Sequence, residues 1–355
     1  MRITRLQLSW FRNYEYVDIT PVPGVNLFLG ENGVGKSNLL EAIAFFGNFS
    51  SPRTSDTNVL VQANKPKCRI MATYLSNGQE EQIAVEIVVM PKRETRVLVN
   101  SIPSAQYKAH GHMKIIGFWP SDLEIVSDGQ EKRRALIDEV TYQTDFTYSK
   151  TLYQYRHLLR QRNALLREIS SGRADKNLLK YWDGKLIELA SLVQYKRKAT
   201  IHRLIEIFNE IIPQLDERLS KVSFVYRMNI VDSRALQDSI ARDLALGYTT
   251  VGPHRDTVGI ELDRQDVKDV ASTGQKKTIA LALRLSQMRL VRNISGDEPI
   301  LVADDIFSDL DEAHKKTVTL AISAAEQAFI SSIERPKWLK VDLSWKISNG
   351  RIYRE

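Results

Sequence analysis

The chain has 355 residues, 43% hydrophobic and 26% charged, the make-up of a soluble globular protein with room for two domains or one domain carrying a large insertion. Its 50 Lys and Arg outnumber 43 Asp and Glu, a formal net charge of +7, and its one cysteine, Cys68, excludes a disulfide framework or a multi-cysteine zinc site. No apolar run approaches the roughly 18 residues of a membrane helix, and the opening Met-Arg-Ile-Thr-Arg-Leu lacks a signal-peptide core, so a cytosolic protein without a membrane partner is expected.

In chain order, Leu6, Leu8 and Trp10 alternate with polar residues as in a strand, and residues 25–29 form a compact apolar strand followed by a glycine-rich turn. Leu39, Leu40, Ile43, Ala44 and Phe46 then recur at helical spacing. Residues 70–74 and 82–89 flank Asn77-Gly78, a hairpin signal, and 96–99 adds a short strand. After Pro120 the texture turns helical, over 131–140, 152–169 and 178–212, with Gly129, Ser171-Gly172 and Pro213 as punctuation. A strand is predicted at 223–230 and a helix at 233–246. From Tyr248 the alternation returns: strand 257–262, helix 275–291, strand 300–303, then short strands at 328–331, 338–341 and 345–348. The expected plan is an α/β domain (1–121 and 247–355) split by a mainly helical lobe (122–246).

Charge is concentrated in that lobe. Residues 150–205 carry thirteen Lys and Arg against four Asp and Glu, a net +9 that exceeds the whole chain's charge. Either a polyanion meets this stretch or it is a solvated helix face. Tyr181 and Trp182 within it read as core residues rather than base-stacking platforms.

Gly30-Glu31-Asn32-Gly33-Val34-Gly35-Lys36-Ser37 fits GxxxxGK[ST] in full, after a strand and at the head of a helix. In that setting backbone N–H groups wrap a β-phosphate, Lys36 reaches the β- and γ-phosphates, and Ser37 offers a hydroxyl to Mg²⁺. A phosphate loop needs a second magnesium anchor at a neighbouring strand end. The apolar run 300–303 delivers Asp304 and Asp305 to such an end, the first for the metal and the second for the attacking water. Ser308-Asp-Leu-Asp311 follows, as a functional loop or a helix cap. Ser272-Thr-Gly274-Gln275 opens a long helix, again as a cap or as a contact for a γ-phosphate. His254 and Arg53 divide evenly between functional and structural roles; His110 and His112, with no acidic or cysteine partner near in sequence, do not read as a zinc site.

These motifs, in this order and nearly end to end, resemble the ABC-type ATPases of the SMC class, and most closely the RecF family of bacterial recombination-repair ATPases. Phe11-Arg12-Asn13-Tyr14, Arg53-Thr-Ser-Asp56, Lys132 to Asp138, Gln161 to Arg167 and Gly252 to Asp256 look like further family motifs. The resemblance implies an ABC/SMC-type ATPase head with an inserted helical lobe, acting as a slow DNA-dependent ATPase with ATP and Mg²⁺. It implies a head-to-tail homodimer in which Ser272, Gly274 and Gln275 of one protomer close over ATP held by Gly30–Ser37 and Asn38 of the other. Arg12 and Asn13 would lie near the adenosine, and Ser308 and Asp311 in the D-loop. The family's substrate is duplex DNA beside single-stranded gaps, its partners are RecR and RecO, which help load the recombinase RecA, and its location is the cytoplasm at the nucleoid. The alternative is another SMC-like ATPase, of defence-system type, without a gap-repair role. The sequence departs from the family pattern at Thr273, Ser121, Thr257 and Ser331-Ser332, the last standing where transporters place a switch histidine. Asp305 replaces the usual glutamate, and its shorter reach implies slow hydrolysis.

Overall fold

The computed structural model describes residues 1–127, 129–305, 312–348 and 350–355, and the side chains of 312–314 are left aside. Its elements run β1 (Arg2–Phe11), β2 (Tyr14–Ile19), β3 (Gly24–Leu29), α1 (Lys36–Asn48), β4 (Lys67–Ser76), β5 (Gln79–Val88), β6 (Glu94–Val99), β7 (Ile102–Ser104), α2 (Gln106–Ala109) and β8 (Ile115–Phe118). The helical lobe follows with α3 (Leu123–Ser127), α4 (Gln130–Thr144), α5 (Tyr148–Ser170), α6 (Leu179–Leu215), β9 (Val222–Arg227) and α7 (Ser233–Leu246). Then come β10 (Thr257–Leu262), β11 (Gln265–Asp266), α8 (Val267–Val270), α9 (Thr273–Ser295), β12 (Ile300–Asp304), α10 (Glu312–Ala324), β13 (Gln327–Ser332), β14 (Leu343–Ser348) and β15 (Arg351–Arg354).

Two six-stranded sheets build the α/β part. One is antiparallel, in the order β2-β1-β4-β5-β6-β7; the other runs β15-β14-β3-β13-β12-β8, parallel except at β15. A strand in the middle of a parallel sheet is covered on both faces, which is why β12 reads Ile-Leu-Val-Ala-Asp and is buried throughout. Its residues alternate between two cores. Ile300 and Val302 join Phe28, Phe329, α1 and the inner face of the antiparallel sheet, whereas Leu301 and Ala303 join Val25, Leu27 and Ile330 beneath α9 and α10.

The packing of the helical lobe draws in the strand that follows it. β10 pairs with β9 along its full length, and Val258, Ile260 and Val267 share one core with Ile137, Leu204 and Phe208. The lobe's packing thus runs past residue 246 and through α8, because a strand that looks like a return to the α/β sheet pairs with β9. α9 then serves both sides, with Ile279, Ala282, Leu283 and Leu290 in the lobe core and Leu281, Leu285 and Val291 under the parallel sheet.

Three smaller expectations also change. Pro213 sits inside the last turn of α6 rather than ending it, since Asp216 rather than Pro213 terminates the helix. Residues 338–341 form a turn instead of a strand, from which Leu339 still reaches the core. Tyr181, expected in the core, is 80% exposed, while its neighbour Trp182, about 100° round the helix, packs against the lobe.

His110 clamps α1 to the lobe. Its Nε2–H donates to the Asn48 carbonyl (3.0 Å), its Nδ1 accepts from the Ser149 hydroxyl (2.6 Å), and its ring stacks on Tyr142 with centroids 4.5 Å apart. Burial favours the neutral ring and holds its pKa down at about 4. The unfolded chain binds this proton near pH 6.5 and the folded one only near pH 4, so stability rises with pH through that window and is lost as pH falls through it. A His110→Phe variant is expected to flatten the drop in urea midpoint between pH 7.5 and pH 4.5 by the equivalent of about 3 kcal/mol; an unchanged drop would place the titration elsewhere.

Candidate nucleotide site

The loop after β3 is shaped by what its glycines must avoid. A Cβ on Gly30 would fall 2.7 Å from the Ile347 carbonyl oxygen, and one on Gly35 (φ +116°) would fall 2.5 Å from Asn13 Nδ2. Both positions therefore need glycine, and the chain can turn tightly enough to start α1 at Lys36. Glu31, Asn32 and Gly33 stand exposed at the crown, with Val34 half-buried beside the core. Lys36 lies back across the loop, its Nζ donating to the carbonyls of Gly30 (2.6 Å) and Glu31 (2.8 Å). Burial holds the ammonium below the ordinary lysine pKa, and the charges of Asp305 and Asp304 oppose that shift.

The predicted acidic partner arrives from β12. Parallel pairing sets Asp304 opposite Ser331 of β13, and the Ser331 hydroxyl donates to Asp304 Oδ1 at 2.7 Å. Ser37 Oγ donates to the same oxygen at 3.0 Å, so the loop and the strand end meet at one carboxylate. The Asp305 amide donates to Ser331 Oγ at 3.0 Å, with Asp305 in the left-handed region (φ +47°). Ser331 thus sits between the two aspartates. A hydroxyl and a carboxylate converging on one point are hard oxygen donors of the kind Mg²⁺ takes, and the residues fit that ion.

The hairpin turn between β1 and β2 folds over the head of α1. Arg12 grips Glu41 with two hydrogen bonds (2.7 and 2.9 Å), and Asn13 donates to the Val34 carbonyl while accepting from Asn38. The Tyr14 hydroxyl donates to the Gly35 carbonyl. Glu41, fully buried, also receives Arg53 and the Ser51 hydroxyl. Sequence reasoning missed this carboxylate, although a Glu at a buried position of an otherwise apolar helix was the available signal. Arg53 donates to Asn38 as well, which ties the 51–54 segment to the loop.

Ser272, Thr273 and Gly274 are exposed at the N-terminus of α9. Ser272 and Gln275 form a reciprocal capping box: the Ser272 hydroxyl accepts from the Gln275 amide, and the Gln275 side chain accepts from the Ser272 amide. Beside Gly274, the nearest atom to a built Cβ is Ser272 Oγ at 3.9 Å, so that end of the helix is open. Ser308 and Asp311 lie outside the described residues. His254 resolves to a structural role, its ring bonded to the Tyr155 hydroxyl (2.7 Å) and the Thr249 carbonyl (2.9 Å).

The sequence profile of the RecF/RecN/SMC N-terminal domain matches residues 2–351. A DNA replication and repair protein RecF from Agathobacter rectalis is 33% identical over 99% of both chains, and one from Acidothermus cellulolyticus is 30% identical over 99% of both. The chain belongs to the RecF family. Solved structures of the recombination mediator protein RecF agree with its fold: one with ATP has a TM-score of 0.91 at 27% identity, covering 99% of this chain and 97% of the other. A structure of the same protein designated RecF-ATPrS has a TM-score of 0.88, with 99% and 98% covered. An SMC head bound to the C-terminal winged-helix domain of ScpA, at 16% identity and TM-score 0.55, shares the fold. Among the described residues no helix is long and apolar enough to cross a membrane.

Proposed function

We propose that this RecF-family chain is an ATP-dependent DNA-binding ATPase of replication and recombinational repair. The observation that carries the reading is the meeting of Ser37 and Asp304 at 3.0 Å, which joins a complete phosphate loop to an acidic strand end. RecF relatives named for DNA replication and repair, and a RecF structure with ATP, support it.

On this reading Gly30–Ser37 and Asn38 take the triphosphate, Lys36 turns from its own loop carbonyls to the β- and γ-phosphate oxygens, and Arg12 and Asn13 border the adenosine. Ser37 and Asp304 would hold magnesium, whose positive charge supplies stabilisation of the phosphates. Asp305 orients the attacking water; the bond between the γ-phosphorus and the bridging oxygen breaks, leaving ADP and phosphate. Ser331 positions both aspartates. The Asp305 side chain is one methylene shorter than glutamate, in keeping with slow turnover. The site is completed in trans, with Ser272, Gly274 and Gln275 of a second copy closing over the γ-phosphate through the open helix end. Ser308 and Asp311 would act as the D-loop. Closing the dimer aligns the basic lobe on duplex DNA at single-strand gaps, where RecO and RecR act with it to load RecA, and hydrolysis releases the DNA. The protein works in the cytoplasm, at the nucleoid.

Ser272→Arg tests the composite site. The variant is expected to bind ATP as a monomer with wild-type affinity yet fail to dimerise with ATP in light scattering. A dimer of undiminished stability would remove Ser272 from the interface.

A further inference from the structure

One exposed face of α5 is built differently from a merely solvated helix. Lys150, Tyr153, His157, Arg160 and Arg167 recur at spacings of three, four and seven, which places them within an arc of about 100° along about 26 Å of helix. All are exposed, Tyr153 at 48%. Between Lys150 and Arg167 the helix carries no carboxylate, and Glu168 closes the run. The rings form a ladder: His157 stacks on Tyr153 with centroids 6.3 Å apart and planes 7° apart, and Tyr107 of α2 continues it at 4.9 Å. Lys108, exposed beside Tyr107, adds a further cation.

We propose that this stripe is a binding track for single-stranded nucleic acid, with the rings as stacking surfaces for unpaired bases and Lys108, Lys150, Arg160 and Arg167 as phosphate partners. The inference deepens the DNA-binding reading and rests on it. Cations alone would fit any polyanion, including a duplex. A duplex, however, keeps its base faces stacked inside, so exposed rings gain nothing from it, whereas every unpaired base offers a face. Adjacent rings flanked by cations, with no carboxylate between Lys150 and Arg167, match a strand whose bases are open and whose backbone is charged.

The test uses the full chain with fluorescein-labelled oligothymidylate and a duplex of equal length, titrated at two salt concentrations. Tyr153→Ala is expected to weaken oligothymidylate binding about tenfold and to leave duplex affinity within about twofold. Tyr153→Phe, which keeps the ring, should bind like wild type, and Arg160→Ala should lower the salt dependence for the single strand by about one ion. Unchanged thermal unfolding of the variants shows that they fold. Tyr153→Ala binding oligothymidylate as well as wild type, or losing affinity equally for both DNAs, overturns the proposal. So does displacement of the oligonucleotide from the stripe by polyglutamate at equal charge, which would make it a site for acidic protein. Wild type that binds duplex but not single strand overturns this track alone; binding of neither overturns the DNA reading with it.

Discussion

A Lys36→Met variant is expected to keep its fold and to hydrolyse ATP at least about a hundredfold more slowly than wild type. The methionine preserves the length and burial of the side chain but removes the ammonium, the one fixed positive charge of the loop. A charge aimed at developing phosphate negativity in a partly desolvated site contributes on the order of 10²–10³ in kcat. Lys36 is 7% exposed and already loses part of its preference for the charged form to burial, so an incoming triphosphate would repay a cost the fold has met. Phosphate release measured under saturating ATP, beside a thermal melt, decides the matter. Turnover within a few-fold of wild type would mean that the loop does not work through Lys36.

The largest expected effect on stability lies far from the nucleotide. Arg197 of α6, 3% exposed, donates to both oxygens of Asp138 (2.9 and 3.1 Å), to the Pro253 carbonyl (2.7 Å) and to Asp256 (3.2 Å). Asp256, fully buried, also accepts from the Gln194 side chain, the Tyr226 hydroxyl and the Asn229 amide. The two carboxylates come from segments that looked like separate family motifs, Lys132–Asp138 and Gly252–Asp256. Arg197→Met removes the cation paired with Asp256 and leaves Asp138 only its half-exposed partner Arg156. Breaking one partner of a buried charge cluster costs about 3–5 kcal/mol, because the remaining charges lose their compensation. A urea midpoint shifted by that amount is expected; a loss under about 1 kcal/mol would show that the carboxylates find other partners and that Arg197 is not the hub.

This network also marks what the sequence could and could not disclose. The phosphate loop was legible because its spacing is rigid chemistry, and the strand ending in Asp304 because such a loop needs a carboxylate at a neighbouring strand end. β3, α1, α7 and β12 were legible for the same local reason, periodicity. What stayed hidden depends on partners distant in the chain. β10 looked like a return to the α/β core since nothing within it names β9 as its neighbour. Ser331 stood out only as a departure from a switch histidine, and its bonds to Asp304 and Asp305 follow from the parallel register. Arg162, within another motif segment, is fully buried against Asp183, Asp243 and Thr249, a structural task that spacing alone could not separate from DNA contact. For these residues the partners that define their task lie far away in the chain and show only in three dimensions.

α9 carries a consequence of its own. Its two faces are shared between cores that would otherwise be independent, with Ile279 and Leu283 on one side and Leu281 and Leu285 on the other. Close-packed interiors tolerate little sliding, so the helix cannot leave one core without stripping apolar surface from the other. The insertion is therefore no detachable appendage. Neither lobe has a complete interior by itself, and the chain that threads away from the α/β part at residue 119 must come back before either half is finished.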